Sequence, residues 1–212
     1  MPGMTLSLDH LVVTAGTLDE GVGWCESTFG VTPGPGGRHA LMGTHNRLLN
    51  ISGAGFAQAY LEIIAIDPDA PRPFHVRWFG LDARRAESPP MLTHLVLRCA
   101  DMHTARAALL AAGQDPGTPT AASRDTAHGL LQWLISVRED GAVLADGAPP
   151  TLIQWPGPHP STHMPDSGLI LQALSLPRDA VVLPVEGTIL TPGRVMTAIL
   201  RGSRGDISLH TP

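Results

Sequence analysis

The chain has 212 residues, of which 43% are hydrophobic and 16% charged, and its net charge is −5. That is enough chain to bury a core without disulfide or metal staples and too apolar a composition for a disordered segment. No Lys/Arg cluster marks a nucleic-acid footprint, and every apolar run falls short of a membrane span.

The opening MPGMTLSLDH has neither a charged start nor an apolar stretch, so no signal peptide is expected. Leu8 to Val13 reads as a strand. Thr17 caps a helix over Leu18 to Phe29, with Glu20 as its capping-box partner and Gly30 as its stop. A Pro/Gly-rich turn leads into GGRHALMGTHNR, residues 36–47, which packs two histidines, two arginines, a threonine and an asparagine into twelve positions. Strands follow at Arg47 to Ile51 and Ala59 to Ala65. Asp67 to Pro90 is a polar, Pro-rich connection with a short helix expected around Val76 to Leu81.

The order then starts again. Met91 to Leu97 is a strand, Asp101 caps a helix over Met102 to Ala112, and strands follow near Gly117 to Ala121, Leu130 to Val137 and Thr151 to Trp155. Leu8-Asp9-His10-Leu11-Val12-Val13 overlays Leu92-Thr93-His94-Leu95-Val96-Leu97, each with a histidine third. This is an internal repeat of one supersecondary unit. Residues 5–68 form the first βαβββ module, 69–90 the connection and 91–156 the second module. The predicted fold is α+β, with paired modules forming an open half-barrel cleft. Pro156 to Asp166 reads as a linker, with His159 to His163 placed where they could close the cleft mouth. A strand-rich extension occupies 167–212, with strands at Leu169 to Leu174, Val195 to Leu200 and Ile207 to His210. Cys25 and Cys99 lie in periodic apolar sequence and read as buried thiols in a reducing cytoplasm.

The Asp-His strand, the GGRHALMGTHN stretch and the strand Tyr60-Leu61-Glu62-Ile63-Ile64-Ala65, set in a doubled unit, resemble the glyoxalase-like domains. These belong to the vicinal oxygen chelate superfamily, with glyoxalase I, extradiol dioxygenases and bleomycin-resistance proteins. The resemblance runs from Thr5 to Trp155. It implies metal ligands on the first and fourth strands of each module: His10, Glu62, His94 and, as a weak neutral fourth, Gln154. Such a set would suit zinc, iron, nickel or manganese, with Glu62 able to leave the metal and act as base. The reaction implied is that of a metal-dependent lyase, isomerase or dioxygenase on a small oxygenated molecule. The alternatives are a metal-free binding or sequestering protein, and a metal-free enzyme with His45 or His39 as base.

The residues around that site carry their own chemistry. Arg38 offers a planar fork of donors to a substrate anion. His39, Thr44, His45 and Asn46 are candidates to bind substrate or orient a ligand, against the plainer reading of a turn held by side-chain to backbone bonds. Trp155 is a candidate wall for an apolar part of the ligand. A small molecule is the expected partner, and a homodimer is compatible with the pattern.

Overall fold

The computed structural model describes residues 4–212. Its first eight strands form one strongly curled sheet. They are β1 (Ser7–Thr14), β2 (Gly34–His39), β3 (Thr44–Asn50), β4 (Tyr60–Ile66), β5 (Met91–Arg98), β6 (Thr118–Thr126), β7 (Gly129–Val137) and β8 (Thr151–Gln154), in the spatial order β2-β3-β4-β1-β5-β8-β7-β6. The helices α1 (Leu18–Phe29) and α2 (Met102–Ala111) lie on its convex face. Among the described residues no helix is long and apolar enough to cross a membrane.

The caps explain where the helices start. Thr17 accepts from the Glu20 N–H, and Gly30 closes α1 in a left-handed conformation. Asp101 accepts from the His103 and Thr104 N–H groups at the start of α2.

The internal repeat becomes a local two-fold. In each module the first strand runs parallel to the last, β1 beside β4 and β5 beside β8. The two first strands meet antiparallel at the centre, with His10 opposite Val96 and Val12 opposite His94.

Side chains alternate between two cores. Leu11, Val13, Leu61, Ile63, Leu95, Leu97 and Leu152 pack outward on the helices, with Cys25, Phe29 and Met102. Val12, Ile64, Val96, Ile135 and Ile153 pack inward on the concave face, with Trp78 and Trp133. Both cysteines are buried free thiols.

The C-terminal extension is a second sheet of β9 (Ile170–Pro177), β10 (Thr188–Thr191), β11 (Thr197–Gly202) and β12 (Gly205–His210), ordered β10-β9-β11-β12. Leu171, Leu174, Leu176, Ala198 and Leu200 join the same convex-side core as the helices, so this sheet backs the first rather than lining the cleft.

Two segments differ from expectation. No helix forms over Val76 to Leu81. Phe79 and Gly80 are left-handed (φ 56° and 69°), and the Asp82 carboxylate accepts from both the N–H and the guanidinium of Arg77. That turn swings Trp78 and Phe79, stacked at 5.3 Å, onto the concave face. The Pro/Gly turn at Gly34–His39 is instead the edge strand β2. Its glycines have a steric reason: a Cβ on Gly36 would collide with the backbone and side-chain oxygens of Asn46, and one on Gly37 would sit 2.5 Å from an Arg124 nitrogen. The sheet thus nearly closes, with β2 approaching β6. Gly36→Ala is expected to lose about 1–3 kcal/mol to overpacking, whereas Gly55, with nothing within 4 Å of its would-be Cβ, is the neutral control. Equal denaturation midpoints for the two variants would contradict this close approach.

Candidate functional site

The pleat decides which polar groups reach the concave face, and it splits the dense 36–47 stretch in two. His39, Thr44 and Asn46 are buried on the inside. Arg38 and His45, opposite each other in the ladder, point outward. Arg38 is 62% exposed and pairs with Asp67 and Asp69 at 3.2 and 2.8 Å. His45 Nδ1 lies 4.0 Å from Asp67. Neither reaches the cleft, so the substrate role expected of Arg38 and the base role expected of His45 have no geometric basis.

Inside is a narrow cavity of about 30 Å³ that opens toward solvent. Tyr60, Trp78, Phe79, Trp133 and Trp155 form its walls. Its polar groups are His10, His39, Asn46, Glu62 and Arg124.

These groups form one buried network. Asp9 Oδ1 accepts from His10 Nδ1 at 2.7 Å. His10 Nε2 faces Glu62 Oε2 at 3.4 Å. Glu62 Oε1 accepts from Asn46 Nδ2 at 2.6 Å. Asn46 Oδ1 is held by the Gly37 N–H at 2.8 Å and by Arg124 at 3.3 Å. His39 shares a hydrogen bond with the Thr44 hydroxyl at 3.0 Å, which orients its ring toward Asn46. On the far side, Asp9 Oδ2 accepts from Trp155 Nε1 at 2.8 Å and His159 Nε2 at 2.9 Å. His159 thereby ties the 156–166 segment across the mouth. Glu62 Oε2, Trp78 Nε1 and Arg124 Nε have no hydrogen-bond partner among the described residues.

The charges follow from this wiring. Burial alone would push the His10 imidazole down, but its hydrogen bond to Asp9, the 3.4 Å approach of Glu62 and the charges of both carboxylates overcome this and raise it to about 9. Burial would likewise raise Asp9 and Glu62, but the His10 contacts outweigh it and hold both carboxyls below their ordinary range. His39 is pushed down to about 4, chiefly by burial. The resting site is a carboxylate–imidazolium–carboxylate row beside a neutral His39.

His94 follows a different course. The two-fold that matches His10 with His94 also matches Glu62, paired with Val12, to Thr151, paired with Val96. His94 Nε2 lies 3.1 Å from both the hydroxyl and the backbone nitrogen of Thr151, and its Nδ1 accepts from the Leu144 N–H. Burial pushes this ring down to about 3. Gln154, the expected fourth ligand, lies three residues beyond Thr151 on β8. Its side chain leaves the cleft and accepts from the Met102 N–H at the start of α2. The donor set therefore does not fit a divalent ion: the His94 Nδ1 lone pair is taken by the Leu144 N–H, which leaves the proton on Nε2 facing the Thr151 hydroxyl, the fourth position is that hydroxyl, and Gln154 faces the other way. Among the described residues no three His, Cys, Asp or Glu side chains converge as ligands would.

Arg124, Asp9 and Trp78 carry much of the site and were not assigned to it from sequence. A strand-face count from His39 and Asn46 would have separated Arg38 and His45 from the cleft. Nothing local marks Arg124, which meets Asn46 only because the curled sheet brings them together.

The titrations give the stability profile its shape. His10 is raised, so its contribution is complete below pH about 6.5 and lost as pH climbs through about 9. His39 and His94 are lowered, so below about 6.5 the unfolded chain takes up protons that the fold refuses, and stability falls with pH. Asp9 and Glu62, held low, withdraw their contribution on the same acid side. Urea midpoints are therefore expected to peak near pH 6.5 and drop toward about 4.5 and about 9. A profile flat across that range would contradict the network.

A family model described as a glyoxalase-like domain matches residues 8–180. No curated protein matches the sequence. A hypothetical protein from Staphylococcus aureus superposes with a TM-score of 0.59 at 15% identity, over 97% of this chain and 85% of that one. Methylmalonyl-CoA epimerase from Streptomyces coelicolor, in complex with 2-nitronate-propionyl-CoA, gives 0.46 at 14% identity, over 73% of this chain and 100% of that one. The Mycobacterium tuberculosis enzyme of the same name gives 0.45 at 15%, over 74% and 93%. The first likeness extends the shared fold through the C-terminal sheet.

Proposed function

The chain belongs to the glyoxalase-like domain family, within the vicinal oxygen chelate superfamily, and from that premise we propose that it is an enzyme moving a proton on a small carbonyl compound without a metal. The observation that carries this reading is Glu62 Oε2: a buried carboxylate oxygen with no hydrogen-bond partner among the described residues, in the cavity, beside a protonated imidazole. A base must have a free lone pair at the reacting atom, and Glu62 keeps one while Asn46 fixes its other oxygen.

The step follows from those positions. Glu62 Oε2 accepts the proton from the carbon next to the substrate carbonyl. The His10 imidazolium donates its Nε2 proton to the carbonyl oxygen as negative charge builds there, and Asp9 holds the ring for that transfer. Return of the protons at the same or the neighbouring carbon gives an isomerase; loss of a leaving group gives a lyase. The aromatic walls exclude water and also fit the second reading, a metal-free binding protein.

The test is proton exchange. Hydroxyacetone, pyruvate and 2-oxobutyrate are incubated with protein in D2O after dialysis against a chelator, and loss of the C–H signal is followed by NMR. Protein-dependent exchange that survives the chelator supports the reading. Exchange that appears only when a divalent ion is restored, or no exchange of any compound, overturns it.

A further inference from the structure

We propose that the cleft takes a singly charged organic carboxylate with an apolar body, and that Arg124 on β6 grips its anionic end. The inference rests on the reading above for where the reacting atoms lie, and adds the chemical class of what binds there. Three observations carry it.

First, the unpartnered polar atoms around the cavity are not a random set. Trp78 Nε1 and Arg124 Nε are donors awaiting an acceptor, whereas Glu62 Oε2 is the one acceptor. A ligand that satisfies all three brings acceptor oxygens to the Arg124 and Trp78 side and a removable proton to the Glu62 side.

Second, room has been left for the guanidinium. Any side chain on Gly37 would meet Arg124 Nη1 at 2.5 Å and its Cδ at 2.8 Å. Among the described residues Arg124 makes one long hydrogen bond, 3.3 Å to Asn46 Oδ1. Its planar fork of five donors is otherwise open to a carboxylate.

Third, Arg124 stands where the inner cavity meets a wider groove at the mouth, and it lines both. The groove is faced by Leu48, Leu130, Leu131, Pro158, Pro160 and Met164. Leu130 is 60% exposed there, an apolar surface suited to a ligand's body. A dianion such as a phosphate fits less well, because Glu62 and Asp9 carry negative charge within the same network and a second ligand charge would face them.

The test uses three probes of one shape: phenylacetate, phenylacetamide and benzyltrimethylammonium. Binding is read from the fluorescence of Trp78, Trp133 and Trp155. The wild type is expected to bind phenylacetate roughly tenfold or more tightly than the amide, the size of a charge-assisted pair. Arg124→Met should erase that preference, and Arg124→Lys should keep part of it. Equal binding of acid and amide, tighter binding of the ammonium, or no binding of any probe at millimolar concentration overturns the inference in the wild type alone. A preference retained in Arg124→Met overturns it too. The two readings fail separately. Carboxylate preference without exchange in D2O removes only the base reading. Exchange that is as fast on hydroxyacetone as on pyruvate, and is unmoved by Arg124→Met, removes only the anion.

Discussion

Glu62→Gln is expected to slow proton exchange by roughly 10²–10⁴-fold, the usual contribution of a positioned base, with a fall in melting temperature from the lost pairing to His10 that is smaller than that of Asp9→Ala. The amide is nearly isosteric with the carboxylate. Its oxygen still accepts from Asn46 Nδ2, now 2.6 Å from Glu62 Oε1, so the strand and cavity keep their shape. What disappears is the lone pair that takes up the proton and the negative charge facing His10 Nε2 at 3.4 Å. His10 therefore moves down from about 9, because one of the two groups that raise it is gone. An imidazole NMR titration shows this without reference to any substrate. Exchange at the wild-type rate in Glu62→Gln would sink the base assignment, whatever the protein binds.

Asp9→Ala carries the largest expected cost in stability. Asp9 is fully buried and holds His10, Trp155 and His159 at 2.7, 2.8 and 2.9 Å, with Arg98 at 3.9 Å. Removing it leaves a buried imidazolium with one partner fewer and strips the acceptor from two other buried donors. Breaking a buried charge pair in this way costs about 3–5 kcal/mol, a large share of the 5–15 kcal/mol that holds a typical protein folded. At this chain length that is a fall of roughly 6–20 °C in melting temperature. Asp9→Asn, which keeps an acceptor oxygen, should lose less. A melting temperature for Asp9→Ala within about 2 °C of wild type would show that the four-way junction does not hold the first strand.

How much of this could be read from the sequence depended on range. The repeat was visible because His10 and His94 occupy the same place in two apolar strands. Glu62 was visible as a carboxylate within an apolar run. The convex-side helices announced themselves through Thr17, Gly30 and Asp101, whose capping chemistry is local. The edge strand β2 was hidden because GPGGRH has the composition of a turn; only the approach of Asn46 and Arg124 explains its glycines. Gln154 stands three residues beyond the position that matches Glu62, and in a strand an odd offset changes the face. The true counterpart of Glu62, Thr151, emerges only from the pairing of β5 with β8. Asp9 was legible as half of an Asp-His pair but not as a junction, since two of its donors lie about 150 positions away. Phe79 at φ 56° is a conformation that no propensity argument would assign to a phenylalanine.

The meeting of β2 with β6 also has a mechanical meaning. Every other neighbouring pair around the eight-stranded sheet is stitched by backbone hydrogen bonds, while these two edges are not. They are bridged instead by Arg124 of β6, which packs over Gly37 of β2 and reaches past it to Asn46 on β3 at 3.3 Å. The wall of the cavity therefore has a seam. Parting it breaks one long side-chain contact and no rung of the ladder, so it is the least costly line along which this wall can yield. The residue that latches the seam is the same one that greets an incoming anion, so a guest arriving there competes directly with the latch.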